Sequence, residues 1–235
     1  MKILCTICAR AGSKGLKNKA LKKIKKHPLI AYTIRQAIKS KQFNEVVVST
    51  DSKKIQSISL KYGAKSWFLR SKKLSNDKSA KIPAIKHALI ESERHFGKKF
   101  DICVDLDVSS PLRNINDIKL SISQFKKENS NVLFSVNNSR KNPYFNMVEI
   151  NNKKVSLIKK YRYCAIKRRQ DAPKVYEMNA SIYIYKRKYL INNDKLFTKK
   201  TSIYLMPKKR SIDIDDYFDF GLVKYLIKYD KKLFR

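Results

Sequence analysis

Ten residues near the start of the chain hold the densest chemistry. Arg10-Ala11-Gly12-Ser13-Lys14-Gly15-Leu16-Lys17-Asn18-Lys19 carries two glycines, a serine and four cations directly after an apolar run. Glycine lets backbone N–H groups turn toward an anion, and Arg and Lys neutralise it, so a phosphate chain is the guest such a loop suits. The loop lacks the Gly-Lys-Ser/Thr of a P-loop, and Gly12 and Gly15 are spaced wrongly for a dinucleotide loop. An ordinary basic turn is the competing reading, and position and composition favour phosphate over it.

A second cluster lies near the other end. Ser211-Ile212-Asp213-Ile214-Asp215-Asp216, followed by Asp219, concentrates acid in a chain with only 19 Asp and Glu. On an extended segment, alternation places Asp213 and Asp215 on one face, where they can share a hard divalent cation. Asp215 or Asp216 could equally cap the following helix, and spacing alone leaves both readings open. Asp105-Leu106-Asp107-Val108-Ser109-Ser110-Pro111-Leu112-Arg113 offers carboxylates and hydroxyls for a polar ligand, or serines to cap a helix. Lys167-Arg168-Arg169-Gln170-Asp171 is a solvated cationic run or a clamp for a carboxylate. Cys5 and Cys8 have C-x-x-C spacing, but on a strand they face opposite ways, which argues against redox or zinc chemistry. The three histidines form no cluster, and no Ser–His–Asp set is apparent.

The elements that must position these groups alternate through the first half. Strands are expected over Lys2–Ala9, Glu45–Thr50, Ala64–Leu69, Asp101–Asp107 and Val132–Val136. Helices are expected over Pro28–Ser40, with Leu29, Ile30, Ile34, Ala37 and Ile38 on one face, and over Ser52–Tyr62, Ala84–Phe96 and Ile115–Glu128. Such alternation implies parallel strands with right-handed crossovers: a doubly wound, mostly parallel α/β sheet. Ligands then bind at the carboxyl ends of the strands, after Ala9, Thr50, Leu69 and Asp107. Beyond Pro143, Val148–Ile150 and Val155–Ile158 around Asn151-Asn152 read as a hairpin, and residues 137–173 read as an insertion into a single domain spanning 1–235. Met178–Tyr185 and Ser202–Met206 are expected strands. Asp216–Tyr229 is an expected helix with Phe218, Leu222, Val223, Leu226 and Ile227 inward.

Composition narrows the class. The chain has 235 residues, 43% of them hydrophobic, and 54 Lys+Arg against 19 Asp+Glu give a net charge of +35. Contact with polyanions is therefore easy. The lysines are scattered over helices and turns rather than gathered in an arm, which favours a solvated basic surface over a nucleic-acid module. No apolar run approaches the ~18 residues of a membrane span. Ile3–Ala9 is too short for a signal-peptide core and meets Arg10 at once. Four cysteines in apolar settings point to a reducing, cytoplasmic compartment.

Three motifs in order, ARAGSKG, SSPLR and SIDIDDYFDF, with KRRQDAP and YEMNASIYIY between the last two, resemble the acylneuraminate cytidylyltransferases, the CMP-sialic acid and CMP-nonulosonate synthetases. DLDVSSPLR, NPYFN and RRQDAPKVYEMNASIY are most similar to the branch that activates legionaminic acid. The resemblance implies a nucleotide-diphospho-sugar transferase-like, Rossmann-type fold with a β-hairpin dimerisation insertion, and a homodimer. It implies transfer of CMP from CTP to a nine-carbon 2-keto sugar acid, with release of pyrophosphate, for surface glycans. It places Arg10, Ser13 and Lys19 on the triphosphate within a loop that includes Gly12 and Lys14, and Arg70, Asp77 and Ser79 near cytidine. Asp107, Ser109, Tyr176 and Asn179 fall in the sugar pocket. Arg168 and Arg169 reach sugar or nucleotide, from a neighbouring subunit in one arrangement. Asp213 and Asp215 bind Mg²⁺ and, with Lys19, form the catalytic set. The family has Lys-Asn where this chain has Lys19-Ala20, which removes one amide from the nucleotide site; Asn18 is the nearest substitute. An enzyme acting on another keto-sugar acid, such as the eight-carbon KDO, and a basic nucleic-acid-binding protein are the alternatives.

Overall fold

The computed structural model describes residues 1–13, 15–76, 80–161 and 166–229. Its elements run β1 (Ile3–Cys8), β2 (Lys23–Ile24), β3 (His27–Pro28), α1 (Leu29–Ser40), β4 (Glu45–Ser49), α2 (Lys53–Lys61), α3 (Lys81–Phe96), β5 (Ile102–Leu106), α4 (Ile115–Lys127) and β6 (Val132–Asn138). The second half holds β7 (Val148–Asn151), β8 (Lys154–Leu157), β9 (Tyr176–Lys186), α5 (Arg187–Asn192), β10 (Thr201–Leu205) and α6 (Tyr217–Tyr229).

Six strands form one sheet in the order β10-β6-β9-β5-β1-β4. The β1–β4, β1–β5 and β10–β6 pairs are parallel, and β9 runs antiparallel between β5 and β6. The doubly wound, mostly parallel α/β expectation therefore matches, with β9 as its one reversed strand among the described residues. Alternation along β1 sends Cys5 and Ile7 to one core and Leu4 to the other. The first core packs under α1, α2, α4 and α6 through Ile34, Ile55, Ile122 and Val223. The second packs under α3 and α5 through Ile85, Leu89 and Leu190. Both sheet faces are thus covered, as parallel strands require.

Four expectations need correction. Residues 64–69 do not form a strand; they touch β4 and its continuation only at the single parallel bridges Val47↔Lys65 and Thr50↔Leu69. The helix expected from Ala84 begins a turn earlier, at Lys81, because Pro83 falls in the first turn, where its missing N–H has no intrahelical partner to lose. On α6 the buried stripe is Val223 and Ile227, with Phe220 and Leu226 packed beside it. Phe218 is 79% exposed and Leu222 is 39% exposed, so both turn away from the core. Ile38 on α1 is likewise exposed.

The hairpin β7–β8 stands apart from the main sheet, as expected. Asn152 and Lys153 both adopt positive φ at its tip, 50° and 65°, the pairing that a two-residue turn needs to match strand twist.

Candidate active site

The opening loop is shaped by contacts beyond itself. The Ala9 N–H donates to the Ser49 carbonyl at 3.0 Å, carrying the β1–β4 register past the strand end, and the Ala11 N–H donates to Asp51 Oδ1 at 2.8 Å. Leu16 is fully buried and anchors the return. Asn18 takes a left-handed φ of 56° and starts a single 3-10 turn, Lys19–Leu21, that turns Lys19 into the cleft. Gly15 is fixed by packing: a Cβ there would fall on the backbone carbonyl oxygen of Asp215. The first loop and the late aspartates are therefore in backbone contact.

That late segment is an arm docked at several points. Asp117 is 1% exposed and receives both guanidinium contacts of Arg210, at 2.8 and 2.9 Å. The Asn179 amide donates to Ser211 Oγ at 2.9 Å. Ile214 is fully buried, and its peptide is held from two sides. Its N–H donates to the Ser109 carbonyl at 2.9 Å, and its carbonyl accepts from Lys19 Nζ. Lys19 Nζ also lies 3.4 Å from Asp215 Oδ1.

The capping role belongs to Asp216. Its Oδ1 accepts from the Asp219 N–H at 2.9 Å, while Asp219 Oδ2 accepts from the N–H groups of Asp215 and Asp216. Asp213 and Asp215 are left to face the cleft. Asp215 is 80% exposed at its side chain. Asp213 has a buried Oδ1 with no hydrogen-bond partner among the described residues. Burial, with Asp107 and Asp215 nearby, pushes its carboxyl up to about 6, against the pull of Ser109 and Lys19.

The third wall is the end of β5. Asp107 Oδ1 accepts the Ser109 N–H at 2.9 Å and the Ser109 hydroxyl at 2.7 Å. Asp107 Oδ2 accepts from Lys81 Nζ at 2.6 Å, and the same ammonium lies 2.9 Å from Asp105 Oδ2. Burial opposes the Asp107 charge, but Lys81 and the Ser109 bonds outweigh it and hold the carboxyl well below its usual range. Lys81 was not among the residues singled out by the sequence. The signal that could have found it is a cation in the first turn of a helix, where the dipole disfavours one. Arg113, fully buried, is part of the frame: it donates to the Ser181 carbonyl at 2.6 Å and to Gln36 Oε1 at 3.2 Å.

Together these walls enclose an open cleft of about 330 Å³ at the carboxyl ends of β1 and β5. Arg10, Ser13, Lys19, Arg70, Asp107, Ser109, Asp213 and Asp215 all line it. Arg70, 6% exposed, is oriented by its Nε bond to Ser75 Oγ at 3.0 Å. Ala20, at the position of the departure noted above, also lines the cleft, so no amide stands there.

Other expected residues fall elsewhere. Asn179 is not in the cleft wall; it is 3% exposed and bridges Ser135 and Ser211. Tyr176 starts β9 opposite Asn138, away from the cleft in this chain. Arg168 is exposed and paired with Asp171 at 3.0 Å, and Arg169 is exposed beside it. Gly12 faces open space. Lys14, Asp77 and Ser79 lie outside the described residues. Cys5 and Cys8 are not a reactive pair, since burial pushes both thiols well up.

The family model described as Cytidylyltransferase matches residues 4–225. A CMP-N,N'-diacetyllegionaminic acid synthase of Campylobacter jejuni is 49% identical over 225 residues, covering 96% of this chain and 94% of that protein. Post-translational flagellin modification protein B of Campylobacter coli is 45% identical over 226 residues, covering 96% and 95%. Among solved structures, a CMP:2-keto-3-deoxy-manno-octonic acid synthetase complexed with CTP superposes with a TM-score of 0.69 at 18% identity, covering 98% of this chain and 100% of that one. That last likeness concerns the fold alone. By its family match and by its relatives, the chain belongs to the cytidylyltransferase family.

Proposed function

We propose that the chain transfers CMP from CTP to the anomeric 2-hydroxyl of a nonulosonic acid, releasing pyrophosphate, and that N,N'-diacetyllegionaminic acid is its acceptor. The observation that carries this reading is the grip of Lys19 on Ile214 and Asp215, which joins a cationic loop to two carboxylates across one cleft. The 49% identity to the Campylobacter jejuni legionaminic acid synthase supports the acceptor.

In this reaction the sugar oxygen bonds to the α-phosphorus as the bond from phosphorus to the bridging oxygen of the β-phosphate breaks. The bridging oxygen leaves with the electron pair as pyrophosphate, and the proton of the sugar hydroxyl passes to solvent water. Charge gathers on phosphate oxygens, so catalysis is mainly placement plus cations. Arg10, Ser13 and Lys19 bind the triphosphate, with Gly12 and Lys14 in the same loop. Arg70 faces the base; Asp77 and Ser79, given to the same part of the site by the resemblance, lie outside the described residues. Asp107 and Ser109 orient the sugar. Asp107 is a poor base, because Lys81 and Ser109 occupy both of its oxygens.

A divalent cation fits the arm. Asp213 offers a buried oxygen with no partner among the described residues and Asp215 an exposed carboxylate, the hard donor pair that Mg²⁺ takes beside phosphates. When bound, it supplies positive charge to phosphate oxygens. Tyr176, Arg168 and Arg169 stand outside the cleft of one chain. We assign them to a homodimer in which the 137–173 insertion is the contact, with the two arginines completing the neighbour's site.

Pyrophosphate release is the test. CTP with diacetyllegionaminic acid is expected to support turnover, and ATP or GTP less than about a hundredth of it. Equal use of the three nucleotides would remove the cytidine assignment. Preferential turnover of an eight-carbon keto sugar acid would move the acceptor.

A further inference from the structure

Lys81 sits in an unfavourable place for a cation. It opens α3, which has neither a side-chain cap nor an acidic residue in its first turn. The helix dipole there favours negative charge. Two carboxylates explain it. Asp105 and Asp107 are two apart on β5 and so share one face, with Asp105 fully buried. Like charges this close do not both stay ionised unless a cation stands between them. Lys81 Nζ is that cation, 2.9 Å from one and 2.6 Å from the other, and it sits 4.6 Å from the centre of the Tyr183 ring.

The contacts continue outward. The Asp107 oxygen not used by Lys81 takes the N–H and the hydroxyl of Ser109. The Ser109 carbonyl takes the Ile214 N–H, the peptide between Asp213 and Asp215. No contact joins Lys81 to Asp213 or Asp215 directly. A line of ionic and hydrogen-bonded contacts nevertheless runs from Lys81 through Asp107 and Ser109 to the backbone of the arm.

We propose that Lys81 is a positioning residue for the two-carboxylate arm: by fixing Asp107, and through it the Ser109 turn, it sets where Asp213 and Asp215 stand toward a divalent cation. The proposal rests on reading that arm as a cation site. Lys81 also lines the cleft, but the role assigned to it here acts through Asp107 rather than on metal or nucleotide.

Mn²⁺ titrated into the full-length protein, with the bound fraction followed by electron paramagnetic resonance, reads the effect without turnover. Lys81→Met is expected to weaken Mn²⁺ binding by about 10–100-fold, the range for residues that orient metal ligands. Lys81→Arg, which keeps a cation between the carboxylates, is expected to recover most of it. Lys86→Met on the same helix leaves it unchanged. Lys81→Met also leaves two buried carboxylates without their cation and lowers the melting temperature, so a second variant separates the roles. Lys81→Met with Asp105→Asn relieves the repulsion and brings the melting temperature back toward the parent, while Mn²⁺ binding stays weak because Asp107 is still not fixed. Mn²⁺ binding by Lys81→Met within twofold of the parent overturns the proposal. So does recovery of Mn²⁺ binding in the double variant, which would make Lys81 a charge balance only. Lys81-dependent Mn²⁺ binding in a protein that releases no pyrophosphate from CTP removes the proposed reaction and leaves the positioning role standing. A parent that binds no Mn²⁺ removes both.

Discussion

Asp213 and Asp215 differ in setting although they are two residues apart. One has a buried oxygen unpartnered among the described residues and the other is mostly in solvent. The sequence shows the pair and its alternation, but the segment carrying it is not a strand. It is an irregular arm whose side chains are aimed by the burial of Ile214 and by Ser109 and Lys19 on either side of its peptide. Because Asp215 makes few contacts, its substitution should separate chemistry from stability. Asp215→Asn is expected to cut pyrophosphate release at least about a hundredfold while changing stability by less than about 0.5 kcal/mol, as for exposed sites generally. A thermal melt beside the assay checks both, and a variant with most of its turnover would reject the metal role. Gly15 teaches the same lesson. Its type suggests a phosphate loop, while its packing shows close approach to the Asp215 backbone, which no local pattern reveals.

Helices and most strands were legible because their apolar periods are strong; the bounds of α1, β4, α2, β5 and α4 differ from expectation by a residue or so. Residues 64–69 were not legible in this way. Their strand-like composition pairs with β4 at only two bridges, since pairing depends on a partner that local propensity does not see. The outward turn of Phe218 and Leu222 on α6 has a similar cause: several apolar residues there can form a stripe, and the core chooses Val223 and Ile227. The pairing of Arg210 with Asp117 spans 93 residues, so it too is invisible locally. It ties the arm to the N-terminus of α4, where Asp117 and Asn114 form a capping box. Removing one partner of such a buried pair costs on the order of 3 kcal/mol. Arg210→Met is therefore expected to lower stability by about that amount by urea unfolding, and to raise the metal concentration needed for turnover. Unchanged metal dependence would show that the arm does not need this anchor.

For the whole molecule, the sequence gives the sheet class correctly because strand–helix alternation has few topological solutions. It does not show β9 inserted antiparallel between β5 and β6, nor which distant loops meet. The hairpin β7–β8 leaves Val148, Ile150 and Val155 at 60%, 71% and 66% exposure, apolar surface that a contact between two copies would cover. Ile150→Asp is expected to shift the protein from dimer to monomer in light scattering and, if Arg168 and Arg169 act on the neighbour, to reduce turnover with it. A parent already monomeric would remove the shared site. The Lys and Arg residues behind the net charge of +35 are scattered along the sequence, so weak polynucleotide binding that vanishes between two salt concentrations is expected in a filter assay, rather than tight specific binding.

A crystal structure of the protein with CTP and a divalent cation tests the central claim most directly. The triphosphate is expected between the Arg10–Lys19 loop and the Asp213–Asp215 arm, with the cation on those two carboxylates. A nucleotide bound with its phosphates away from Lys19, or a cation held without either aspartate, would contradict the account.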